Sequence, residues 1–196
     1  MNFAKGTQTR APAAAPGIHC AGCVGVFDLG LQAPSGQFAG GKPSDKVLLA
    51  WEVQSGELVT KEYTRLIDQW KDKQGVVQST NLKKHLESWF APAKIDDPSK
   101  FDAKKLLGQH CQLVLSHTAG GYAKIDAITR PDPSKMNWEP VRQYAYYEVG
   151  DEIPEGTENW VVNRINSRIQ VGEAPQQSPK DGSQESAPAS SQRVPF

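Results

Sequence analysis

Two runs of alternating apolar and polar residues, joined by a short turn, constrain the fold of this chain most strongly. The first run covers residues 46–54 and the second covers residues 58–67, with Ser55-Gly56-Glu57 between them. Period-two alternation is typical of β-strands, because successive side chains point to opposite faces of a sheet. Two such runs separated by a short glycine-containing segment favour a β-hairpin. We therefore predict that the fold is built around strands.

The remaining segments predict further strands and several helices. The predicted order is a strand over 18–29, the hairpin, a helix that begins after Ser79 or Thr80 and stops before Pro92, a short helix over 101–107, strands over 111–117 and 122–129, a short strand within 143–149, and an amphipathic helix over 156–169. The predicted class is mainly β, with a helical insert and an appended C-terminal helix. This order is compatible with an OB-fold-like small β-barrel, and also with other small β-barrels and α+β sandwiches.

Composition divides the chain into four segments. Residues 1–16 are small and punctuated by proline, and we interpret them as a flexible lead. Residues 17–130 form the predicted β domain, residues 131–170 form a C-terminal extension, and residues 171–196 form a disordered tail rich in Gln, Ser and Pro. An apolar stripe on the helix of the extension either caps the barrel or mediates self-association into a homo-oligomer; it consists of Val161, Ile165 and Ile169.

The charge balance excludes a global basic field. Lys and Arg total 22, as do Asp and Glu, so the formal net charge is zero. Any binding of nucleic acid therefore needs a local basic stripe. The sequence has no apolar run of about 18 residues and no secretory signal pattern. We expect a soluble, intracellular protein without a membrane partner.

The three cysteines raise the question of a metal site. Cys20 and Cys23 lie near His19, and Cys111 follows His110. A structural zinc site needs four converging ligands, whereas positions three apart on a strand point to opposite faces. An odd number of cysteines without an export signal also argues against a disulfide framework. We expect reduced thiols, no metal and no other cofactor.

No catalytic motif accompanies the histidines of the chain. The sequence lacks a nucleophile elbow, a metalloprotease motif and a phosphate-binding loop. Four aspartates could assemble a nuclease metal site, but solvated loop charges are the simpler interpretation; they are Asp96, Asp97, Asp102 and Asp126. We therefore expect a binding protein and not an enzyme.

Alternation on the third and fifth predicted strands groups aromatic rings with cations. Lys61, Tyr63 and Arg65 share one face of the third strand, and Tyr122 and Lys124 share a face of the fifth. Cations follow the phosphates of single-stranded DNA while ring faces stack on its bases, so this combination predicts such binding. The same pattern is ordinary for the wet face of a sheet. Two further rings extend the predicted surface, Phe27 and Trp51, although Trp51 fits equally well in a core.

Six short strings between residues 17 and 130 are distinctive as a set. They are Val26-Phe-Asp-Leu-Gly30, Val47-Leu-Leu-Ala-Trp-Glu52, Lys61-Glu-Tyr-Thr64, Asn81-Leu-Lys-Lys-His-Leu-Glu-Ser-Trp89, Phe101-Asp-Ala-Lys-Lys-Leu-Leu-Gly108 and Cys111-Gln-Leu. In order and spacing they resemble a family of bacteriophage single-stranded-DNA-binding proteins. The resemblance implies an OB-like fold and binding of single-stranded DNA without sequence specificity, in phage DNA replication or recombination. It also implies a location in the cytoplasm of the infected bacterial host.

The chain ends in Pro195-Phe196, an ending that resembles the tails of bacterial and phage single-stranded-DNA-binding proteins. A terminal ring and carboxylate on a polar tail suit capture by a partner's pocket. We expect these two residues to bind replication or recombination enzymes, and the alternative function is a scaffold that recruits such enzymes through the tail. Related tails usually place several aspartates before Pro-Phe, whereas Arg193 stands here. That departure argues against docking onto a strongly basic pocket.

Overall fold

The computed structural model describes residues 13–34, 41–64, 70–71, 77–78, 81–91, 102–135 and 137–170, with the backbone alone at 70–71 and 77–78. The strands are β1 (Gly17–Gln32), β2 (Ser44–Val53), β3 (Leu58–Thr64), β4 (Trp70–Lys71), β5 (Val77–Gln78), β6 (His110–His117), β7 (Ala123–Thr129) and β8 (Ala145–Tyr147). The α-helices are α1 (Asn81–Trp89) and α2 (Asn159–Asn166), and short 3₁₀ helices lie at Ala103–Leu106 and Pro133–Lys135. The fold is therefore mainly β, as predicted.

The predicted hairpin is confirmed. β2 and β3 pair antiparallel from Lys46 opposite Thr64 to Glu52 opposite Leu58. Gly56 adopts a φ of 93° in the connecting turn, a conformation that glycine enters without steric cost. The glycine in the turn and the alternation of both strands thus favour the same strand register.

Six strands form the main sheet, in the order β3-β2-β1-β6-β7 with β8 paired to β1. The β8 pairing is parallel and the other pairings are antiparallel. Two β-bulges, at Val24 and Leu29, interrupt the register of β1 against β2, and bulges bend a strand and increase its twist. The sheet is not closed into a barrel, since no strand pairing joins the described residues of β3 and β7.

Apolar clusters cover both faces of the sheet. The inner cluster lies between the sheet and α1 and contains Trp51 and Trp89, whose ring centroids are 6.1 Å apart. The outer cluster contains Phe27 and Leu48 on the sheet and is covered by the C-terminal extension. We call the corresponding faces of the sheet the inner face and the outer face. The central strands β1 and β2 are consequently buried on both sides.

Helix α2 packs on the outer face of the main sheet. Val161 and Ile165 are buried in the outer cluster. The guanidinium of Arg164 binds both carboxylate oxygens of Glu62 in β3, at 2.8 and 3.0 Å. The backbone N–H of Ile169 donates to the carbonyl oxygen of Leu31 at 2.8 Å. The apolar stripe therefore serves intramolecular packing.

Some predicted elements differ from those observed. The predicted helix over 101–107 is a four-residue 3₁₀ helix, and the short pairing of β4 with β5 was not predicted. The predicted helix over 156–169 is helical only at Asn159–Asn166. Within the described ranges, no helix combines the length and apolar character needed to cross a bilayer.

Candidate nucleic-acid interface

Lys61 and Tyr63 lie on the inner face of β3, against α1. Tyr63 is 3% exposed, and its hydroxyl lies 2.8 Å from Nδ1 of His85 in α1. Lys61 is half-buried, and its Nζ donates to the backbone oxygen of Ile125 in β7 at 2.7 Å. The prediction that this face is exposed is therefore wrong. Alternation separates the two faces of a strand but does not say which one a helix covers.

Burial shifts the pKa values of Lys61, Tyr63 and His85. It raises the pKa of Tyr63 and lowers that of Lys61, which the charge of Lys124 lowers further. The pKa of His85 falls to about 4, chiefly through burial and then through the charge of Lys61. The neutral ring accepts a hydrogen bond from Tyr63 at Nδ1 and bonds to the backbone of Asp126 in β7. Side chains thus connect β3 and α1 to β7 where strand pairing is lacking.

Trp51 and Phe27 are also buried. Trp51 has no exposed surface in the inner cluster, and Phe27 is 6% exposed in the outer cluster. Stacking on a base requires an exposed ring face. The predicted stacking role of Trp51, Phe27 and Tyr63 is therefore incompatible with their positions, and their rings stabilise the core instead.

Tyr122 and Lys124 lie at the surface where β7 begins. Tyr122 is 49% exposed and immediately precedes the strand. The Nζ atom of Lys124 lies 2.7 Å from a carboxylate oxygen of Asp126, so its charge is partly compensated. The remaining predicted residues lie outside the described part of the chain: Arg65, Pro195 and Phe196.

A groove that was not predicted runs from the outer face of β1, β2 and β3, along the turn between β2 and β3, to the start of β7. Two cavities of about 500 and 810 Å³ form it, and they share Leu58, Thr60, Arg142 and Glu158. The three strands supply its floor, and the C-terminal extension supplies its wall. We call this feature the outer groove.

Three exposed aromatic residues line the outer groove. Tyr122, Tyr144 and Trp160 are 49%, 52% and 42% exposed. The indole Nε1 of Trp160 donates to Oε2 of Glu158 at 2.6 Å, and this bond orients the ring. Tyr144 and Trp160 were missed because no local pattern indicates that the C-terminal extension folds back onto β1–β3.

A buried carboxylate holds the wall of the groove against β2. Glu52 is 1% exposed, and its two oxygens accept the backbone N–H groups of Val141 at 3.3 Å and Arg142 at 2.9 Å. The Nε atom of Arg142 lies 3.9 Å from the same carboxylate. These donors compensate a charge that would be costly to bury alone. Glu52 therefore positions Arg142 at the groove.

The lining of the groove carries more negative than positive charge. Arg142 is accompanied by Glu57, Glu155 and Glu158. Hydrogen bonding to Ser55 lowers the pKa of Glu57, so this carboxylate is ionised at neutral pH. The outer groove therefore suits aromatic bases better than a run of phosphates.

Two of the three cysteines belong to the core, and Cys20 is half-buried outside it. Cys23 and Cys111 lie in the inner cluster, where burial raises the pKa of Cys23 to about 12 and also raises that of Cys111. Protonated thiols are poor metal ligands. Among the residues that the structure describes, no three His, Cys, Asp or Glu side chains are grouped to hold a metal ion.

The candidate interface is thus the outer groove, with its three rings and Arg142. Of the predicted contacts, Tyr122 lines it and Phe27, which is 6% exposed, contributes to its floor, whereas Lys61 and Tyr63 lie on the other face of the sheet. No family model matches this chain, and no curated protein shows significant similarity to it.

Proposed function

We propose that this protein binds single-stranded DNA without sequence specificity through the outer groove, on an OB-type barrel left open between β3 and β7. β1 pairs with both β2 and β6, and β6 pairs with β7. Helix α1 comes after β3 and the short strands β4 and β5, and it contacts both edge strands, through Tyr63 on β3 and Asp126 on β7. The OB-fold is a partly open, five-stranded Greek-key barrel, and this connectivity supports it.

The position of the groove carries the proposal. OB-folds bind oligonucleotides on the face of their second and third strands and at the loop between the fourth and fifth. The outer groove runs over β2 and β3 and reaches Tyr122, in the turn between β6 and β7. Three exposed rings line this groove, and their presence there supports the proposal.

Stacking supplies most of the expected affinity. Each base stacked on an aromatic ring contributes about 1–3 kcal/mol, and every base has a ring face to offer. Arg142 adds a cation that pairs with a phosphate or lies over a base. Because stacking uses the ring face that every base offers, binding is expected to tolerate any sequence of single-stranded DNA.

The test is the affinity for fluorescein-labelled oligothymidine, measured by anisotropy with unlabelled single strands and duplexes as competitors. Tyr122→Ala and Trp160→Ala are each expected to weaken binding roughly 5- to 150-fold, the equivalent of one lost stacking contact. Ile18→Ala is the control, because Ile18 is 68% exposed and does not line the groove. Equal competition by duplex DNA, or wild-type affinity in both ring variants, would overturn the proposal.

The charge of the groove favours one other function, a protein-interaction scaffold. Glu57, Glu155 and Glu158 beside three rings suit a peptide that carries lysine or arginine between apolar residues. Such a peptide, added to the anisotropy assay, would bind tightly while oligothymidine did not. Preferential binding of oligothymidine excludes the scaffold as the main function of this groove.

A further inference from the structure

We infer that the 3₁₀ helix Ala103–Leu106 carries a phosphate-binding surface that continues the outer groove. This surface consists of Lys104, Lys105, Tyr144 and Tyr146, and we call it the lysine surface. The inference rests on the proposed binding of single-stranded DNA and adds the place where the sugar–phosphate backbone is neutralised.

The composition of the groove requires such a surface. A single strand carries one negative charge per nucleotide, whereas the groove offers Arg142 against Glu57, Glu155 and Glu158. Stacking binds bases but leaves the phosphates unpaired, and binding of single strands draws strongly on cations that follow the backbone. The cations must therefore lie beside the groove.

Lys104 and Lys105 are presented on a firmly anchored element. Leu106, which follows them, is 1% exposed in the inner cluster. The N–H of Gly108 donates to the carbonyl oxygen of Cys23 in β1 at 2.9 Å, and Gly108 adopts a φ of 74° where the helix ends. The two lysines are exposed, so their Cα positions are fixed while their amino groups stay accessible.

Two tyrosines connect the groove to these lysines. Tyr144 lines the groove, and its hydroxyl oxygen lies 3.5 Å from the point that a Cβ of Gly108 would occupy. Tyr146, two residues further along, has Nζ of Lys104 over its ring at 5.0 Å from the centroid. Tyr146 packs against the inner cluster, so Lys104 lies at the border between the two faces. We infer that a strand leaving the groove at Tyr144 follows this border.

The charges of the two lysines are available for phosphate. Within the described part of the chain, neither amino group lies within 4.0 Å of a carboxylate, whereas Lys124 and Arg164 form ion pairs. The nearby carboxylates have other donors. Asp102 accepts the backbone N–H of Lys104 at 3.0 Å, and Glu148 accepts the hydroxyl of Tyr146 at 2.6 Å.

The experiment compares the salt dependence of binding between two double variants that lose the same charge. Lys104→Ala with Lys105→Ala removes the lysine surface, and Lys84→Ala with Lys135→Ala removes two exposed lysines that do not line the groove. Each phosphate contact contributes about −0.7 to the slope of log K against log salt concentration for single strands. With an oligothymidine of about 16 nucleotides, the first variant is expected to show a slope less steep by about 1.4, and the second an unchanged slope.

Oligonucleotide length and charge rescue complete the test. An oligothymidine of about 4 nucleotides, at the lower end of site sizes for OB-folds, fills the groove alone and should bind both double variants equally. Lys104→Arg with Lys105→Arg should restore the wild-type slope. Equal slopes for the two alanine double variants on the long oligonucleotide would overturn this inference while leaving the groove proposal intact. Failure of the wild-type protein to bind either oligonucleotide would overturn both.

Discussion

The hydroxyl of Tyr63 lies 2.8 Å from Nδ1 of His85 and joins β3 to α1 at the open edge of the sheet. The two rings meet edge to face, with centroids 5.6 Å apart and an angle of 80°. From the far side of His85 the bond to Asp126 reaches β7. Tyr63 and His85 therefore have a structural role, whereas the sequence predicted that Tyr63 is exposed and contacts DNA.

Tyr63→Phe is expected to reduce the free energy of unfolding by about 1–2 kcal/mol, because Nδ1 of His85 then loses its donor in a partly buried site. Affinity for oligothymidine should not change, since Tyr63 lies on the inner face. Urea unfolding and anisotropy measure the two effects. The matched control is Tyr144→Phe, whose ring is 52% exposed and whose loss of a hydroxyl should alter stability by less than about 0.5 kcal/mol. A drop in affinity for Tyr63→Phe at unchanged stability would contradict this assignment.

Stability should also depend on pH through His85. Its pKa is about 4 in the folded protein against an ordinary value of 6.5, so the unfolded chain binds the proton more readily between these values. The stabilising contribution of neutral His85 to the free energy of unfolding is fully present above pH 6.5 and is lost as the pH falls toward 4. Because the ring is only half-buried, we expect a loss of about 1–2 kcal/mol. Urea unfolding at pH 7, 6, 5 and 4.5 measures this loss of stability, and His85→Asn should remove the part of the loss that His85 causes. Parallel profiles of unfolding free energy against pH for the wild type and His85→Asn would exclude this role of His85.

Glu52→Gln is expected to loosen the wall of the outer groove. The amide keeps one acceptor oxygen for the two N–H groups of Val141 and Arg142 and loses the charge that strengthens both bonds. We expect a loss of about 2 kcal/mol in unfolding free energy and faster hydrogen exchange at these two amides. Glu139→Gln is the control, because Glu139 is exposed. Unchanged exchange at both amides would contradict the positioning role of Glu52.

The attachment of α2 should depend on apolar burial more than on its ion pair. Ile165 is fully buried in the outer cluster, so Ile165→Ala should cost about 2–5 kcal/mol. Arg164 binds Glu62 at a partly exposed site, so Arg164→Ala should cost about 1 kcal/mol or less. Urea unfolding of the two neighbouring variants gives the comparison. Equal costs would mean that the C-terminal extension is held mainly by charge.

Local patterns were sufficient for the order of the main-sheet strands and the two α-helices, but not for the short strands β4 and β5. The hairpin follows from period-two alternation on both sides of Gly56, and α1 follows from Leu82, Leu86 and Trp89 at helical spacing. These patterns involve only a few neighbouring residues. They predict secondary structure because burial of apolar side chains selects the conformation that puts those side chains on one face.

Apart from Tyr122 and Phe27, the candidate site could not be predicted from the sequence, because it depends on contacts between distant segments. On β3, Tyr63 and Thr60 lie on opposite faces, and only the packing of α1 determines which face is buried. The bulge at Val24 shifts the alternation of β1, which places Cys23 and Val26, three residues apart, in the same inner cluster. The parallel pairing of β8 with β1 then brings Tyr144 to the groove, although more than a hundred residues separate the two strands along the chain.

The most direct test of the outer groove is to map its contacts by photo-crosslinking. Oligothymidine that carries 4-thiothymidine at single positions is irradiated with the wild-type protein, and the modified peptides are identified by mass spectrometry. The account predicts adducts at Tyr122, Tyr144 or Trp160, the exposed rings of the groove. Adducts confined to other surfaces, or none above the level obtained with duplex DNA, would contradict it.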